Sequence, residues 1–291
     1  MPEGTETDKG LLVALPSGDR VYYVDEPHAY YLCKPNGSRG KRLTGVTTVA
    51  KVFDIDSSRL LNWAARTQCI GISKAWAAGG STDWLDGPNE IWAHLEALGL
   101  TFEDVRRLAG RVGHHVHEHA FEALGRGEQV PALAKMTLEE QGHAKGIQKF
   151  FLDHEPRSEQ IEQIVFSPKL RCAGRLDFRG ELSLCDDESC ACHKVVVDLP
   201  GPGIVDCKTG NYIFASDHVQ VAGYRRLSEE SGYGKVEWAM LLHTFANGEY
   251  ELIKSEATVK HFELAVKCYR SVGEVNKLAK KAWTERKKAY G

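Results

Sequence analysis

The chain has 291 residues, 42% hydrophobic and 26% charged, and a formal charge of -3, a composition that reads as soluble and globular. No apolar run approaches the roughly 20 residues needed to span a bilayer, and the polar start Met1–Gly10 lacks the apolar region of a signal peptide, so a cytoplasmic protein is expected. The near-neutral charge argues against coating nucleic acid through bulk positive charge and leaves a local groove open.

In chain order, Arg20–Leu32 and Lys41–Val49 cluster β-formers around the turn Pro35-Asn36-Gly37, which predicts an N-terminal hairpin. Asp56-Ser57-Ser58 caps a helix carrying Leu60, Leu61, Ala64, Ala65 and Ile72, closed by Gly79-Gly80, and Ser81–Asn89 reads as an irregular loop. Thr101 to Asp104 has the spacing of a capping box. Val105, Leu108, Val112, Val116, Ala120 and Leu124 follow it as one stripe of a long helix, with Gly110 or Gly113 as the place for a bend. Thr137 to Glu140 repeats the signal ahead of a helix ending near Glu155-Pro156.

Strands are then predicted at Ile161–Phe166, Cys172–Phe178, Val195–Leu199 and Gly203–Lys208. A helix over Ser216–Leu227, strands at Val236–Thr244 and Tyr250–Lys254, and a final helix complete the chain. The expected fold class is α/β, a mixed sheet flanked by helices with an N-terminal hairpin and helical lobe. Residues 1–155 would form that lobe and residues 156–291 the core, packed as one unit.

The chemistry centres on Asp206-Cys207-Lys208. Strand residues two apart share a face, so Asp206 and Lys208 project together, a carboxylate for a hard cation beside an ammonium that can orient water and offset phosphate charge. A second acidic strand ends in Asp177. If it neighbours the first, two carboxylates converge on one cation, with Glu162 as a third. Of the four histidines in Gly113-His114-His115-Val116-His117-Glu118-His119, most suit an exposed polar face. His117 borders the apolar stripe and sits four residues after Gly113, whose small size permits close approach, so it can face inward as a metal ligand. Gln220 and Tyr224 share one helix face, either to bond phosphate and orient site residues or as an ordinary amphipathic surface.

These motifs together resemble the PD-(D/E)XK nuclease superfamily, in its RecB-like exonuclease branch of phage-encoded exonucleases and CRISPR-associated RecB-like nucleases. The resemblance is an ordered set: Gly113 to His117, Gly174 to Asp177, Asp206 to Gly210 and Gln220 to Tyr224. His28-Ala29-Tyr30-Tyr31, Gly45-Val46-Thr47-Thr48-Val49 and Asn62-Trp63-Ala64-Ala65 extend it over roughly residues 20–230. It implies a restriction-endonuclease-like core and a deoxyribonuclease using Mg²⁺ or Mn²⁺. His117, Asp177, Asp206 and the Cys207 carbonyl would bind metal, Lys208 would assist the water, and Gln220 with Tyr224 would complete the site and contact DNA. A recombinase, single-strand-binding protein or helicase is the class of protein partner it implies, with phage-type recombination, repair or DNA processing as the setting and the host cytoplasm as the location of a phage-encoded member.

Two features depart from the family. Some members hold an iron–sulfur cluster through a C-terminal group of cysteines, whereas this chain has only Cys268 there, which argues against such a cluster. The segment Cys185 to His193 lengthens the connection between the acidic strands. Cys185, Cys190, Cys192 and His193 match a structural Zn²⁺ in number and softness, although the adjacency of Cys192 and His193 strains a tetrahedral site. The alternative is an acidic hairpin tip carrying reduced thiols. Near the C-terminus Lys280, Lys281, Lys287 and Lys288 form either a solvated helix face or a DNA-backbone contact, and Trp84 and Trp92 either pack or stack on bases. An exonuclease is the leading expectation, with an endonuclease and a non-catalytic DNA-end or protein-binding module as alternatives.

Overall fold

The structure, a computed structural model, describes residues 4–7, 10–26, 28–54, 58–79, 82–127, 136–195 and 201–290, and its class is mixed α/β. An antiparallel meander comes first, with β1 (Thr5–Thr7), β2 (Gly10–Ala14), β3 (Arg20–Val24), β4 (Ala29–Cys33) and β5 (Arg39–Arg42) paired in that order. The turn at Pro35-Asn36-Gly37 joins β4 to β5, with Gly37 at φ +75° and a Lys34 N–H to Ser38 O bond of 2.9 Å. Arg20–Leu32 is not one strand, because the chain reverses between β3 and β4, where the Tyr23 hydroxyl donates to Asp25 and His28 takes φ +47°. Lys41–Val49 also divides. β5 gives way to β6 (Thr44–Gly45), and Val46 opens α1 (Val46–Ala50), where burial of Val46 and Val49 overrides their strand preference.

The helices that follow are α2 (Ser58–Ala77), α3 (Pro88–Ala97), α4 (Phe102–Val116), α5 (Glu122–Gly125) and α6 (Leu138–His154). The expected cap at Asp56-Ser57 and the expected stop at Gly80 lie outside the described residues. The expected loop over Ser81–Asn89 is in its described part, from residue 82, a 3₁₀ turn at Asp83–Leu85 followed by Pro88 in the first turn of α3. Both capping boxes form. Asp104 N–H donates to Thr101 Oγ1 at 3.1 Å, and Thr137 N–H donates to Glu140 Oε2 at 2.7 Å. Only the second half of the expected stripe is buried, at Val112, Val116 and Ala120, because Val105 and Leu108 precede the part of α4 that reaches the sheet. The helix changes character at a π turn over His117–Phe121, where the Glu122 N–H reaches the His117 carbonyl, and not at either glycine.

The second sheet runs in the order β11 (Tyr250–Lys254), β10 (Trp238–Thr244), β9 (Gly203–Lys208), β8 (Cys172–Glu181), β6, and β7 (Arg157–Ser167) pairs with β8. Helix α8 (Ala215–Glu230) makes the crossover between the parallel strands β9 and β10. Val195 closes α7 (Ala191–Val195) instead of opening a strand, and 196–199 lie outside the described residues. The terminal helix α9 is Val259–Tyr290. One face of this sheet packs Leu176 and Ile204 against α1, α8 and Phe262 of α9. The other packs Phe178, Val205 and Leu242 against Val116, Phe121, Ile147 and Phe150 of the α4–α6 segment. The meander joins through Val13, Val21 and Tyr23, which meet Ile164 and Phe166 of β7. Among the described residues no helix is long and apolar enough to cross a membrane.

Phe150 is fully buried while Leu152, two residues along α6, is 79% exposed. Truncating Phe150 to Ala is expected to cost about 3–5 kcal/mol and Leu152→Ala less than about 0.5 kcal/mol. Denaturant midpoints check this, and equal losses would contradict the packing of α6 on the sheet.

Candidate active site

The site forms where β8 and β9 part. Their pairing runs only from Gly180↔Gly203 to Phe178↔Val205. At the next step the carboxylate of Asp177 enters the gap, and its Oδ2 accepts the Cys207 N–H at 2.8 Å, replacing a ladder bond. On the other side, Ile161↔Phe178 and Gln163↔Leu176 set Glu162 of β7 opposite Asp177. Glu162, Asp177 and Asp206 thus occupy neighbouring positions on three adjacent strands.

His117 closes the array from above. Its Nε2 lies 3.1 Å from the Cys207 carbonyl and 3.4 Å from Asp177 Oδ2, and its Nδ1 donates to Glu162 Oε1 at 3.2 Å. Helix α4 approaches closely because Gly113 has no side chain: a Cβ there would stand 3.0 Å from Thr209 Oγ1. Glu162 is held in turn by Arg175 Nε at 2.8 Å and adopts φ +51°, a left-handed conformation costing about 1–3 kcal/mol that its two partners sustain. The other histidines turn outward: His114 faces Glu118 at 3.6 Å, His115 bonds Glu140 at 3.1 Å, and His119 rests edge-on against His115.

On β9, Asp206 and Lys208 project together, Nζ to Oδ2 2.8 Å. Gln220 of α8 joins them, accepting from Lys208 Nζ at 3.2 Å and donating to Asp206 Oδ1 at 3.1 Å and to the Tyr224 hydroxyl at 3.0 Å. Asp217, in the first turn of α8, adds a second carboxylate 3.3 Å from Lys208. Tyr224 reaches this position across Gly174, where a Cβ would fall 2.6 Å from its ring. Gln220 and Tyr224 are both buried, which suits them to orienting Asp206 and Lys208.

Burial pushes the Asp206 carboxyl up to about 7. Lys208 opposes this and Asp177 adds to it. Asp177 is raised for the same first reason, against the pull of His117. His117 itself is raised, since Asp177, the Cys207 side chain and Glu162 outweigh the burial that would keep it neutral. Lys208 is likewise raised against burial by Asp206 and Asp217, so it is a fixed ammonium and not a free base. Tyr224 is held neutral by burial and by the two aspartates.

This donor set fits a divalent cation. Ligand atoms of His117, Glu162 and Asp177 lie within 4.8 Å of one another, and the buried Asp206 Oδ2, paired with Lys208 Nζ at 2.8 Å, stands beside that group and not in it. Glu162 belongs to that group and also bonds His117 and Arg175, so its carboxylate steadies the imidazole beside it.

Two groups stand apart. Lys280 and Lys281 are exposed on α9, and Lys280 lies about 21 Å along the helix beyond Val266, the last α9 residue in the buried core. The side chains of Lys287 and Lys288 lie outside the described residues. Trp84 stacks on His94 at 4.6 Å and Trp92 meets Phe102 edge-on, both within the helical segment. Missed in the sequence were Arg175 behind Glu162, Asp217 beside Lys208, and the exposed Tyr212 and Phe214 just beyond β9, which the run Asn211-Tyr212-Ile213-Phe214 after the Thr-Gly stop advertises. No protein family matches the chain, and no curated protein matches it either.

The raised carboxyl gives a signed expectation. Between about 4, its unfolded value, and about 7, Asp206 holds a proton when folded that the unfolded chain releases, so its contribution to stability falls as pH rises through that window. Thermal melts in Mg²⁺- and Mn²⁺-free buffer at pH 5 and pH 8 check this: Asp206→Asn should show a smaller loss toward pH 8 than wild type, and an unchanged loss would contradict it. Cation binding needs the ionised carboxylates and neutral His117, so Mn²⁺ affinity should rise from pH 6 to pH 8 with protons released, measured by calorimetry in buffers of different ionisation enthalpy.

Proposed function

We propose that the protein is a divalent-metal-dependent deoxyribonuclease with a restriction-endonuclease-like core of the RecB-like exonuclease type, hydrolysing phosphodiester bonds from DNA ends. The observation that carries this reading is the hydrogen-bonded set Asp206, Lys208, Gln220 and Tyr224 meeting His117 and Asp177 at the parting of β8 and β9. His117, Asp177, Asp206 and the Cys207 carbonyl would hold Mg²⁺ or Mn²⁺, His117 favouring the softer Mn²⁺. When bound, the cation polarises the scissile phosphate and the attacking water and stabilises the leaving oxygen.

The chain's own groups do the positioning. Lys208, fixed as an ammonium, offsets phosphate charge and donates a hydrogen bond to the water. Gln220 locks the rotamers of Asp206 and Lys208 together, while Arg175 and Glu162 set the tautomer and direction of His117. A nucleic-acid phosphodiester is the substrate this chemistry suits, and DNA is the one the resemblance implies. Action at ends, in recombination, repair or processing and with a recombinase, single-strand-binding protein or helicase nearby, rests on the resemblance of the ordered motifs.

Lys208→Ala should fold and bind Mn²⁺ while losing about 10²–10⁴-fold in cleavage rate. The assay is degradation of end-labelled linear DNA beside closed circular DNA with Mg²⁺, Mn²⁺ or EDTA. Metal-dependent loss of the linear form alone is expected. Cutting of the circle would make the enzyme an endonuclease, and inactivity on both with every ion would favour a binding module.

A further inference from the structure

Between the two acidic strands, three thiols converge with an imidazole from α6. Sγ of Cys185, Cys190 and Cys192 and Nε2 of His154 all lie within 4.8 Å of one another, with Cys185 Sγ 3.5 Å from Cys192 Sγ and Cys190 Sγ 4.0 Å from His154 Nε2. A tetrahedral zinc with sulfur at about 2.3 Å and nitrogen at about 2.0 Å sets its ligand atoms roughly 3.5–3.8 Å apart, so the cluster needs only a small contraction to hold one ion. We propose that Cys185, Cys190, Cys192 and His154 form a structural Zn²⁺ site that clamps the segment between the two acidic strands onto the C-terminal end of α6.

The imidazole is not the one expected from the local spacing. His193 donates its Nε2 proton to the Cys185 carbonyl at 2.6 Å, and it neighbours Cys192 in the chain, where two adjacent residues cannot easily share a tetrahedron. His154 arrives from the last turn of α6, fully buried between Phe150 and Tyr250. Its Nδ1 donates to the Ser183 carbonyl at 3.2 Å, which fixes the tautomer whose Nε2 lone pair faces the thiols. Thiolates with an imidazole select Zn²⁺ over the hard cations suited to the carboxylate site, and four protein ligands leave no open position, the arrangement of a structural ion. The space between the four atoms suits a single ion and is too small for an iron–sulfur cluster.

The segment has reason to be held. It departs from β8, which carries Asp177, and the chain next returns as β9, which carries Asp206, so its anchorage bears on how the two strands meet. Asp187 orders the tip, accepting from the Ser189 N–H at 2.9 Å, and its carbonyl accepts the Cys190 N–H at 3.0 Å.

The site is tested by metal content, independently of any cleavage. Full-length protein purified from zinc-supplemented culture without chelator is analysed by mass spectrometry for bound metals and, after replacement, by the Co²⁺ absorption spectrum. One zinc per chain and a tetrahedral thiolate–Co²⁺ spectrum are expected, with His193→Ala retaining the ion and His154→Ala or Cys190→Ser losing it. Substoichiometric zinc in wild type, an octahedral Co²⁺ spectrum, or a Cys185–Cys192 disulfide in the freshly purified chain would overturn the proposal. Should the ligand variants fail to fold, the wild-type spectrum and stoichiometry still decide it.

Discussion

The contact between the Asp177 carboxylate and the Cys207 N–H governs the geometry of the whole site. Antiparallel pairing of β8 and β9 stops at Phe178 and Val205, and beyond that point β8 turns its edge to β6, whose Thr44 pairs with Cys172. A fork in a sheet exposes backbone groups that need partners. Asp177 supplies one, and the same oxygen lies 3.4 Å from His117 Nε2. The Cys207 carbonyl, freed from the same ladder, meets His117. The defect in the sheet and the cluster of ligands are therefore one structural fact.

Placing carboxylates from adjacent strands in this buried corner is electrostatically costly, and the costs are met locally. Burial raises Asp177 and Asp206, with Glu162 adding to the first and Asp177 to the second, while Lys208 answers on one flank and His117 on the other. Without a cation the corner holds protons. A cation bound there would displace them, so the arrangement that destabilises the carboxylates at alkaline pH would also suit an ion. Gln220 keeps the lysine and the aspartate together, and its burial beside Tyr224 makes the pair a rigid support.

Much of this was legible in the sequence wherever the determinant was local. Alternation put Asp206 and Lys208 on one face, the Thr-x-x-acid spacing located two helix starts, and the Gly113 to His117 interval brought one histidine of four to face the sheet. What escaped depended on tertiary partners. His154 lies 31 residues before Cys185 and joins it only through the packing of α6. The π turn after Val116 leaves no residue signature, and the polar Thr5-Glu6-Thr7 strand is specified by its neighbour Gly10–Ala14 more than by its own preference. Glu162 was reached from its strand position beside Asp177, and it does lie with His117 and Asp177, but its tie to Arg175 was out of reach of the sequence.

The central claim is that the fork between β8 and β9 holds a divalent cation. Anomalous scattering from crystals soaked in Mn²⁺ addresses it directly. The expected result is one or two peaks in contact with His117, Asp177, Asp206 and the Cys207 carbonyl, lost in Asp177→Asn. Manganese bound only elsewhere, or none bound at concentrations that support DNA cleavage, would contradict it.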